Sequence, residues 1–442
     1  MAVPVNIFRA YDIRGIFGKD LTPDVAALIG GALSNFEKSE YCVCHDVRFS
    51  SPVLSKGLIA GLTGAGSNVV DAGVGPIGMA IFASKHLGYH VAYVTASHLP
   101  PEWNGFKLFR GGGEPICLGD IEKIRRIVEN GVKWSGLDSY GRVRSREILP
   151  EYYEFLHKIG NHKGGLKVVV DCGNGTASLV VPSLLRDLGY EVYTVNCDVD
   201  PRFPARGSEP TPENTGYMEN VIKAYKADLG VSFDGDGDRV IFFDERGRAL
   251  TPEQSAVVML NALGKADVAA NVECSSIVDR AVAGRGGKVV RVPVGRIYMI
   301  LDAVKSGVEL GVESSGHFVA YKGINLDDGI VSLLFMLETA EKLGKPLSSF
   351  APPMPPVRKL KLEVPDERKF ALIEALKEKY MNEFDKVTTL DGVRVDTENG
   401  WFLIRASNTE PVVRVTIEAE DAKSLSELEE KVMNDIRKTM GG

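Results

Sequence analysis

Residues 232–243 read SFDGDGDRVIFF and place Asp234, Asp236 and Asp238 close together, with only glycine between them. Like charges at this spacing repel, so the stretch predicts a bound cation. The glycines let the loop curl and turn the carboxylates inward. Hard carboxylate oxygens suit Mg²⁺ or Ca²⁺. Because apolar, strand-like residues flank the loop, we predict a divalent-metal site rather than a solvated acidic turn.

An EF-hand is the competing interpretation, since Glu245 stands at the twelfth position counted from Asp234. The sixth position is Arg239, where an EF-hand needs glycine, and VIFF is typical of a strand rather than a helix. Magnesium therefore fits better. A cation beside an arginine is typical of phosphate chemistry, because both offset charge on phosphoryl oxygens.

Outward from this loop, strand-like runs alternate with helix-length amphipathic segments for most of the 442 residues. This alternation predicts α/β architecture with largely buried sheets, and the length indicates several domains. The proline-rich APPMPPVRK is predicted to be a linker. Composition shifts divide the chain into residues 1–150, 151–250, 251–354 and 355–442.

Bulk composition excludes several function classes. The chain is 44% hydrophobic and 25% charged with net charge −7, which argues against nucleic acid or an anionic membrane as the main partner. No apolar run approaches the ~20 residues of a spanning helix, and the N-terminus lacks a signal-peptide pattern, so we expect a cytoplasmic protein. The cysteines form no C-x-x-C pair and are expected to be reduced core residues. They are Cys42, Cys44, Cys117, Cys172, Cys197 and Cys274.

The stretch VTASHLPPEWNGFKLF, residues 94–109, places Ser97 directly after a predicted strand. Two prolines stiffen the loop, and His98 and Lys107 lie near in sequence. This arrangement is typical of an exposed nucleophile, although a polar surface turn explains it equally well. It is not a hydrolase elbow, because G-x-S-x-G is absent.

The segment GVESSGHF, residues 311–318, alternates Glu313, Ser315 and His317. An extended loop would present all three on one side. A carboxylate and a hydroxyl suit sugar hydroxyls, and a histidine moves protons near neutral pH.

The segment RASNTEPVVRV, residues 405–415, combines Arg405 with Ser407, Asn408 and Thr409. A forked cation and small donors match the oxygens of a phosphate. The alternative is a capped turn between strands.

The segment DAGVGPIG carries Gly73, Gly75 and Gly78 at the G-x-G-x-x-G spacing of dinucleotide sites. Pro76 lies inside the turn, and no suitably placed ribose-binding acid follows. We predict a plain tight turn.

Taken in order, the loops TASHLPPEWNGFK, DGDGDR, GVESSGH and RASNTEP resemble those of the α-D-phosphohexomutase family. IFRAYDIRG, DCGNG and PTPEN match it as well, so the resemblance covers essentially the whole chain. It implies four domains around a central cleft: three similar mixed α/β domains and a smaller C-terminal α+β domain. The family reaction interconverts hexose 1-phosphates and 6-phosphates through a phosphoserine enzyme and a bisphosphorylated sugar.

The resemblance also implies roles for individual residues. Ser97 would carry the phosphoryl group and, with Asp234, Asp236 and Asp238, hold Mg²⁺. The implied residues for proton transfer and charge stabilisation are Arg14, Lys107, Arg239 and His317. The implied substrate-binding residues are His98, Arg296, Glu313, Ser315, Arg405, Ser407, Asn408, Thr409 and Arg414. A hexose 1,6-bisphosphate would be the activator and intermediate.

The identity of the sugar is open at this point. FRAYDIRG resembles the phosphomannomutase/phosphoglucomutase branch, whereas TEPVVRV also resembles the phosphoglucosamine branch. Arg296 stands where the first branch often has histidine. A sugar-phosphate hydrolase or a non-catalytic sensor are more remote alternatives, and the sequence does not distinguish a monomer from a homo-oligomer.

Overall fold

Strands and helices alternate along the computed structural model, as the sequence pattern predicts. It describes residues 3–9, 11–160, 164–319, 324, 326–407 and 411–441. Backbone contacts divide the chain into two units. The first unit is Met1–Thr251 with Ser315–Phe350, and the second is Pro252–Ser314 with Ala351–Gly442.

The first sheet of the first unit has six strands in the order β1-β5-β4-β2-β3-β6. Strands β4, β2, β3 and β6 run parallel. At one edge β5 pairs antiparallel with β4, and β1 pairs antiparallel with β5. The elements are a 3₁₀ helix (Val5–Ile7), β1 (Ile13–Ile16), α1 (Pro23–Phe36), β2 (Tyr41–His45), α2 (Ser51–Gly64), β3 (Val69–Val74), α3 (Ile77–Leu87), β4 (His90–Val94), β5 (Trp103–Phe109), α4 (Gly119–Asn130) and β6 (Val143–Ser145).

Helices α1 and α2 approach each other unusually closely beside this sheet. A Cβ placed on Gly61 of α2 would lie 1.9 Å from the carbonyl oxygen of Ala27, and one on Gly30 of α1 would lie 2.2 Å from that of Leu58. Both neighbours are backbone atoms that cannot swing away. Only glycine permits this helix packing, which covers the buried residues of β2 and β4.

The second sheet of the first unit has the order β10-β9-β7-β8. Strands β8, β7 and β9 are parallel, while β10 turns back antiparallel to β9 after the aspartate-rich loop. The elements are α5 (Leu149–Ile159), β7 (Lys167–Asp171), a 3₁₀ helix (Thr176–Leu179), α6 (Val181–Asp187), β8 (Glu191–Val195), α7 (Tyr217–Tyr225), β9 (Leu229–Phe233) and β10 (Val240–Phe243).

The second unit begins with a parallel arrangement in which β11 lies between β12 and β13. Its elements are α8 (Pro252–Leu263), β11 (Val268–Asn271), α9 (Ser276–Ala283), β12 (Val289–Val292), α10 (Arg296–Ser306) and β13 (Leu310–Val312). The chain then returns to the first unit with β14 (Phe318–Val319), α11 (Gly329–Leu343) and a 3₁₀ helix (Leu347–Ser349).

The C-terminal part of the second unit is an antiparallel sheet in the order β15-β19-β18-β17-β16, with two helices packed on its apolar core. The elements are β15 (Val357–Glu363), α12 (Asp366–Glu383), β16 (Val387–Thr388), β17 (Val393–Thr397), β18 (Gly400–Ala406), β19 (Val412–Ala419) and α13 (Ala422–Gly441). The predicted fold class, α/β units followed by a smaller α+β domain, is confirmed. Among the described residues, no helix combines the length and apolarity needed to cross a membrane.

The expectation that all six cysteines are reduced is wrong for two of them. Cys172 and Cys197 form a disulfide bond, with their Cα atoms 4.8 Å apart. The parallel pairing of β7 and β8 places Asp171 beside Val195, so the residues just after these strands meet. This proximity depends on strand register, which the linear spacing of the cysteines does not reveal. The other four cysteines are not part of a disulfide bond.

The close approach of α1 and α2 makes a stability prediction. Gly61→Ala should lower the free energy of unfolding by about 1–3 kcal/mol, because the new methyl group forces two backbones apart. Urea unfolding followed by circular dichroism measures the change.

Gly119→Ala is the matched control, because Gly119 begins α4 and a Cβ there meets no atom within 4 Å. It should leave stability unchanged or raise it slightly. Equal stability of Gly61→Ala and the wild type would show that the helices are not packed this tightly.

Candidate active site

The candidate site of the first unit lies where parallel strands end. The serine loop (residues 95–102) follows β4, and the metal loop (residues 234–239) follows β9. Loops at the carboxyl ends of parallel strands are the usual ligand-binding positions of α/β sheets. The structure brings these two loops into direct contact.

Ser97 lies against the metal loop. Its Oγ donates a 2.7 Å hydrogen bond to Oδ2 of Asp234, and its side chain is almost completely buried. Its backbone is left-handed, with φ of 52°, a conformation that non-glycine residues rarely adopt. The Ser97 amide donates to Oγ1 of Thr95 at 2.8 Å, which helps to hold this conformation. Backbone strain of this kind is typical of functional residues.

The three aspartates of the metal loop are buried, and one oxygen from each lies within 4.8 Å of the others. Burial, followed by repulsion from Asp238, raises the pKa of both Asp234 and Asp236 above the ordinary range. Oδ1 of Asp236 has no hydrogen-bond partner among the described residues. Three hard oxygen donors and an unsatisfied buried oxygen fit a divalent cation such as Mg²⁺.

Lys107 offsets part of this negative charge. It lies on β5, and its Nζ donates to Oδ2 of Asp236 at 2.8 Å and to Oδ2 of Asp238 at 2.6 Å. Strand pairing explains the placement, since β5 runs antiparallel to β4, the strand that ends at the serine loop. Lys107 therefore places a positive charge within the metal loop that Ser97 contacts.

His317 completes a buried chain of hydrogen bonds. Its Nδ1 lies 2.9 Å from Oδ1 of Asp327, and Nε of Arg239 donates to its Nε2 at 3.1 Å. Burial lowers the pKa of His317, but Asp327 and Asp238 outweigh that effect and raise it. The Arg239 bond nonetheless requires an unprotonated Nε2, so the geometry is that of a neutral imidazole with its proton on Nδ1. Arg239 also donates to Glu209 at 3.0 Å.

Arg14 and His98 lie at the margin of this cluster. Arg14 stands on β1 and pairs with Asp12, with Nε 2.6 Å from Oδ2. Burial, then the charges of Arg239 and Arg14, lower the pKa of His98 to about 2. His98 is therefore neutral and suits hydrogen bonding rather than proton uptake.

The second unit carries a separate cluster of cations. Arg405, Arg414 and Lys361 are direct neighbours across β18, β19 and β15. Like charges at facing positions of a sheet are destabilising, so this row favours a bound anion. It lines a cavity of about 200 Å³ together with Lys359 and Glu273, and Nε of Arg405 donates to Glu273 at 2.8 Å.

The remaining predicted residues are less clustered in the described structure. Glu313 is buried, and Arg296, the first residue of α10, is half-buried; both belong to the second unit. Ser315 is exposed in a turn at residues 314–316, so the expected extended loop is wrong; left-handed Gly316 reverses the chain there. Two members of the predicted phosphate loop, Asn408 and Thr409, lie outside the described residues.

The G-x-G-x-x-G segment spans the end of β3, a tight connection at Gly75 and Pro76 and the start of α3, so the predicted turn is limited to that connection. It contributes to the site all the same, because the Ile77 amide donates to the Asp236 carbonyl at 3.0 Å. A Cβ on Gly78 would lie 2.1 Å from a carboxylate oxygen of Asp328, so this glycine allows a close helix contact.

Sequence reasoning missed several contributing side chains. Asp327 orients His317, and Nζ of Lys369 donates to the carbonyl of Ser407 at 2.5 Å. Lys359 and Lys361 line the cationic cavity. Their i, i+2 spacing in VRKLKLE puts both on one face of a strand, a signal that could have revealed them.

Four domain models of one protein family match the chain in sequence order. Residues 5–133, 150–247 and 251–356 match the alpha/beta/alpha domains I, II and III described as phosphoglucomutase/phosphomannomutase, and residues 360–435 match the C-terminal domain of that family.

Full-length relatives are also found. The chain is 35% identical to a phosphomannomutase/phosphoglucomutase of Pseudomonas aeruginosa, over 98% of this chain and 96% of that protein. It is 34% identical to a probable phosphoglucosamine mutase of Methanopyrus kandleri, over 98% of both. The crystal structure of a phosphoglucomutase/phosphomannomutase family protein of Burkholderia thailandensis superimposes with a TM-score of 0.89 at 30% identity, covering 100% of this chain and 99% of that one.

The acidic cluster predicts metal affinity. Asp236→Asn should weaken Mg²⁺ binding by about tenfold or more, because one of three anionic ligands is lost. Isothermal titration calorimetry with MgCl₂ measures the affinity directly and does not depend on catalysis.

Asp200→Asn is the control, since Asp200 is a carboxylate of the same unit whose partner is Arg202. It should bind Mg²⁺ as the wild type does. Unchanged affinity in Asp236→Asn would exclude this residue as a ligand.

Proposed function

The chain belongs to the phosphoglucomutase/phosphomannomutase family, and from this premise we propose that it interconverts hexose 1-phosphates and hexose 6-phosphates by intramolecular phosphoryl transfer. The observation that carries the proposal is the contact between Ser97 Oγ and Asp234, at 2.7 Å inside a buried cluster of three aspartates. A hydroxyl held at a metal-binding cluster suits phosphoryl transfer, in which positioning and electrostatics supply most of the rate.

In the forward half of the reaction, the bond between phosphorus and Ser97 Oγ breaks as a bond to a sugar hydroxyl oxygen forms. Mg²⁺ held by Asp234, Asp236 and Asp238 would offset charge on the phosphoryl oxygens. Lys107 adds a fixed ammonium group beside two of these carboxylates. Ser97 Oγ leaves phosphorus as an alkoxide-like oxygen and takes up one proton, which balances the proton that the sugar hydroxyl releases.

The sugar hydroxyl loses its proton in the same step, and we propose His317 as the acceptor. Its Nδ1 proton is directed to Asp327, which leaves Nε2 as the basic atom. Arg239 now donates to Nε2, so proton uptake requires Arg239 to exchange this bond for one to a phosphate oxygen. Arginine is well suited to that role.

The product of the first half is a hexose 1,6-bisphosphate, which gives its other phosphate to Ser97 after reorienting. We propose that the cavity lined by Arg405, Arg414 and Lys361 holds the phosphate that is not reacting. Its row of cations on adjacent strands favours a dianion. Ser407, with Asn408 and Thr409, belongs to this proposed phosphate site.

Glucose and mannose phosphates are the proposed substrates. The Pseudomonas aeruginosa relative named for both sugars and the segment FRAYDIRG support this choice. Glucosamine phosphate is the alternative, because the Methanopyrus kandleri relative is named for it at nearly the same identity. Glu313, Ser315, His98 and Arg296 are the proposed sugar contacts.

Ser97→Ala should lower mutase activity by about 10³-fold or more, because it removes the group that carries the phosphoryl. The assay couples glucose 6-phosphate formation from glucose 1-phosphate to a dehydrogenase, with Mg²⁺ and glucose 1,6-bisphosphate present. Intact-mass spectrometry should show one added phosphate on the wild type and none on the variant.

Ser55→Ala is the control, since Ser55 is a buried serine of α2 that donates to the Pro52 carbonyl. It should retain activity and phosphorylation. Full turnover by Ser97→Ala would refute the phosphoserine mechanism, and release of inorganic phosphate at the rate of substrate loss would indicate a hydrolase instead.

The sugar preference is tested with a substrate panel. The value of kcat/KM should be higher for glucose 1-phosphate and mannose 1-phosphate than for glucosamine 6-phosphate, all measured with the phosphorylated enzyme. The opposite ranking would assign the chain to glucosamine phosphate while leaving the phosphoryl-transfer mechanism intact.

A further inference from the structure

We propose that Arg48, a residue that touches no reacting atom, is a positioning residue for phosphoryl transfer. This inference rests on the proposed function and adds one residue to those that the reaction requires. Arg48 lies just after β2, the strand next to β4 in the parallel sheet. Its side chain is fully buried, as is that of its ion-pair partner Asp46.

All five N–H groups of the Arg48 guanidinium are used, and four of them hold the serine loop and its end. Nη2 donates to the carbonyls of Ser97 at 2.7 Å and Leu99 at 2.6 Å. Nη1 donates to those of Pro100 at 2.6 Å and Trp103 at 3.2 Å. The fifth, on Nε, pairs with Asp46 at 3.1 Å. A lysine has three donors on a single atom and cannot reproduce this fork.

The pattern of acceptors indicates what Arg48 does. Every carbonyl it binds belongs to residues 97–103, and one is the carbonyl of Ser97 itself. Ser97 has a sparsely populated left-handed backbone, which persists only where the surroundings over-determine it. Arg48 on the carbonyl and Thr95 on the amide fix both sides of this residue. The direction of Ser97 Oγ toward Asp234 follows from that constraint.

Asp46 extends the same constraint to the metal loop. Its Oδ2 lies 2.8 Å from Oγ1 of Thr95, and that hydroxyl lies 3.0 Å from Oδ2 of Asp236. The Arg48 charge is compensated locally by Asp46, so its contribution to the site is geometric rather than electrostatic. Arg48 has no N–H group left to bind a substrate, which separates it from the arginines proposed to contact phosphate.

The second sheet contains a similar aspartate–arginine pair, which supports the same positioning role. Asp171 ends β7, the parallel neighbour of β9, and Nε of the buried Arg206 donates to it at 2.6 Å. Nη2 of Arg206 donates at 2.5 Å to the carbonyl of Phe233, the residue just before the metal loop. The Arg48 guanidinium also lies over the ring of Phe203, with Cζ of Arg48 5.1 Å from the centre of the ring. Each loop of the site is thus held by a buried aspartate–arginine pair.

The test compares Arg48→Lys and Arg48→Met with wild type, each first phosphorylated with glucose 1,6-bisphosphate. Transfer of phosphate to glucose 1-phosphate is then followed in a single turnover by rapid quench. The rate is expressed per phosphorylated molecule, which is counted by intact-mass spectrometry. This normalisation removes any loss of folded protein from the comparison.

Both variants should transfer phosphate about 10²-fold more slowly, since small misplacements of a reacting group cost that much. KM for glucose 1-phosphate should stay within about twofold, because Arg48 has no donor left for substrate. Arg48→Lys keeps the positive charge beside Asp46. If Arg48→Met does not fold, the transfer rate of Arg48→Lys alone is compared with that of the wild type.

Arg110→Met is the matched control for lost stability. Arg110 directly follows β5 of the same sheet and donates to Glu37 and Asp120, both at 2.8 Å, rather than to the serine loop. It should lower Tm while keeping the wild-type transfer rate per phosphorylated molecule. Failure of Arg48→Lys to take up phosphate, at a Tm no lower than that of this control, also supports the positioning role.

Wild-type transfer rates in both Arg48 variants would overturn the inference and leave the mutase function standing. Equal slowing in Arg110→Met would also overturn it, since general destabilisation would then explain the effect. Absence of phosphorylation and transfer in the wild type would instead refute the proposed function.

Discussion

Three buried carboxylates within a few ångströms of one another are the constraint that orders the first unit. Asp234, Asp236 and Asp238 cannot all be ionised there without positive charge close by, and among the described residues Lys107 and Arg239 offset only part of their charge. The remaining demand is what a divalent cation satisfies. Ser97 Oγ donates a hydrogen bond to one of these carboxylates, so the phosphoryl group proposed on that oxygen would share the same positive charge.

Rigidity of the backbone is what keeps this arrangement in place. A carboxylate cluster held by flexible loops would relax outward toward water. Here the loops follow parallel strands in two neighbouring sheets, and each is held by a buried arginine paired to an aspartate at the end of an adjacent strand. The glycines of α1 and α2 serve the same end further out, because they allow backbone-to-backbone packing behind the first sheet.

The parts of the site that sequence could predict are those with a local signature. Aspartate–glycine alternation between apolar runs marks the metal loop, and a serine just after a strand marks Ser97. The features that the sequence did not predict depend on which strands become neighbours. Arg48 acts on a loop about fifty residues away because β2 pairs with β4, and Cys172 meets Cys197 because β7 pairs with β8. Strand order and register are set by the whole sheet, so no short segment encodes them.

The turn at residues 314–316 is a feature that the alternating sequence pattern did not predict. Alternation of Glu313, Ser315 and His317 favours an extended chain, but a left-handed glycine turns the chain there, and His317 is buried against Asp327.

In the second unit a local motif predicts too few residues of a site. The segment RASNTEP predicts Arg405 as a phosphate ligand but gives no signal for the lysines of β15. There Lys361 joins Arg405 and Arg414 through cross-strand pairing. The first unit thus accumulates negative charge and the second a row of positive charge, although the whole chain is only modestly acidic. Each cluster is costly without a counter-ion, which supports the separate proposals that the first binds a cation and the second an anion.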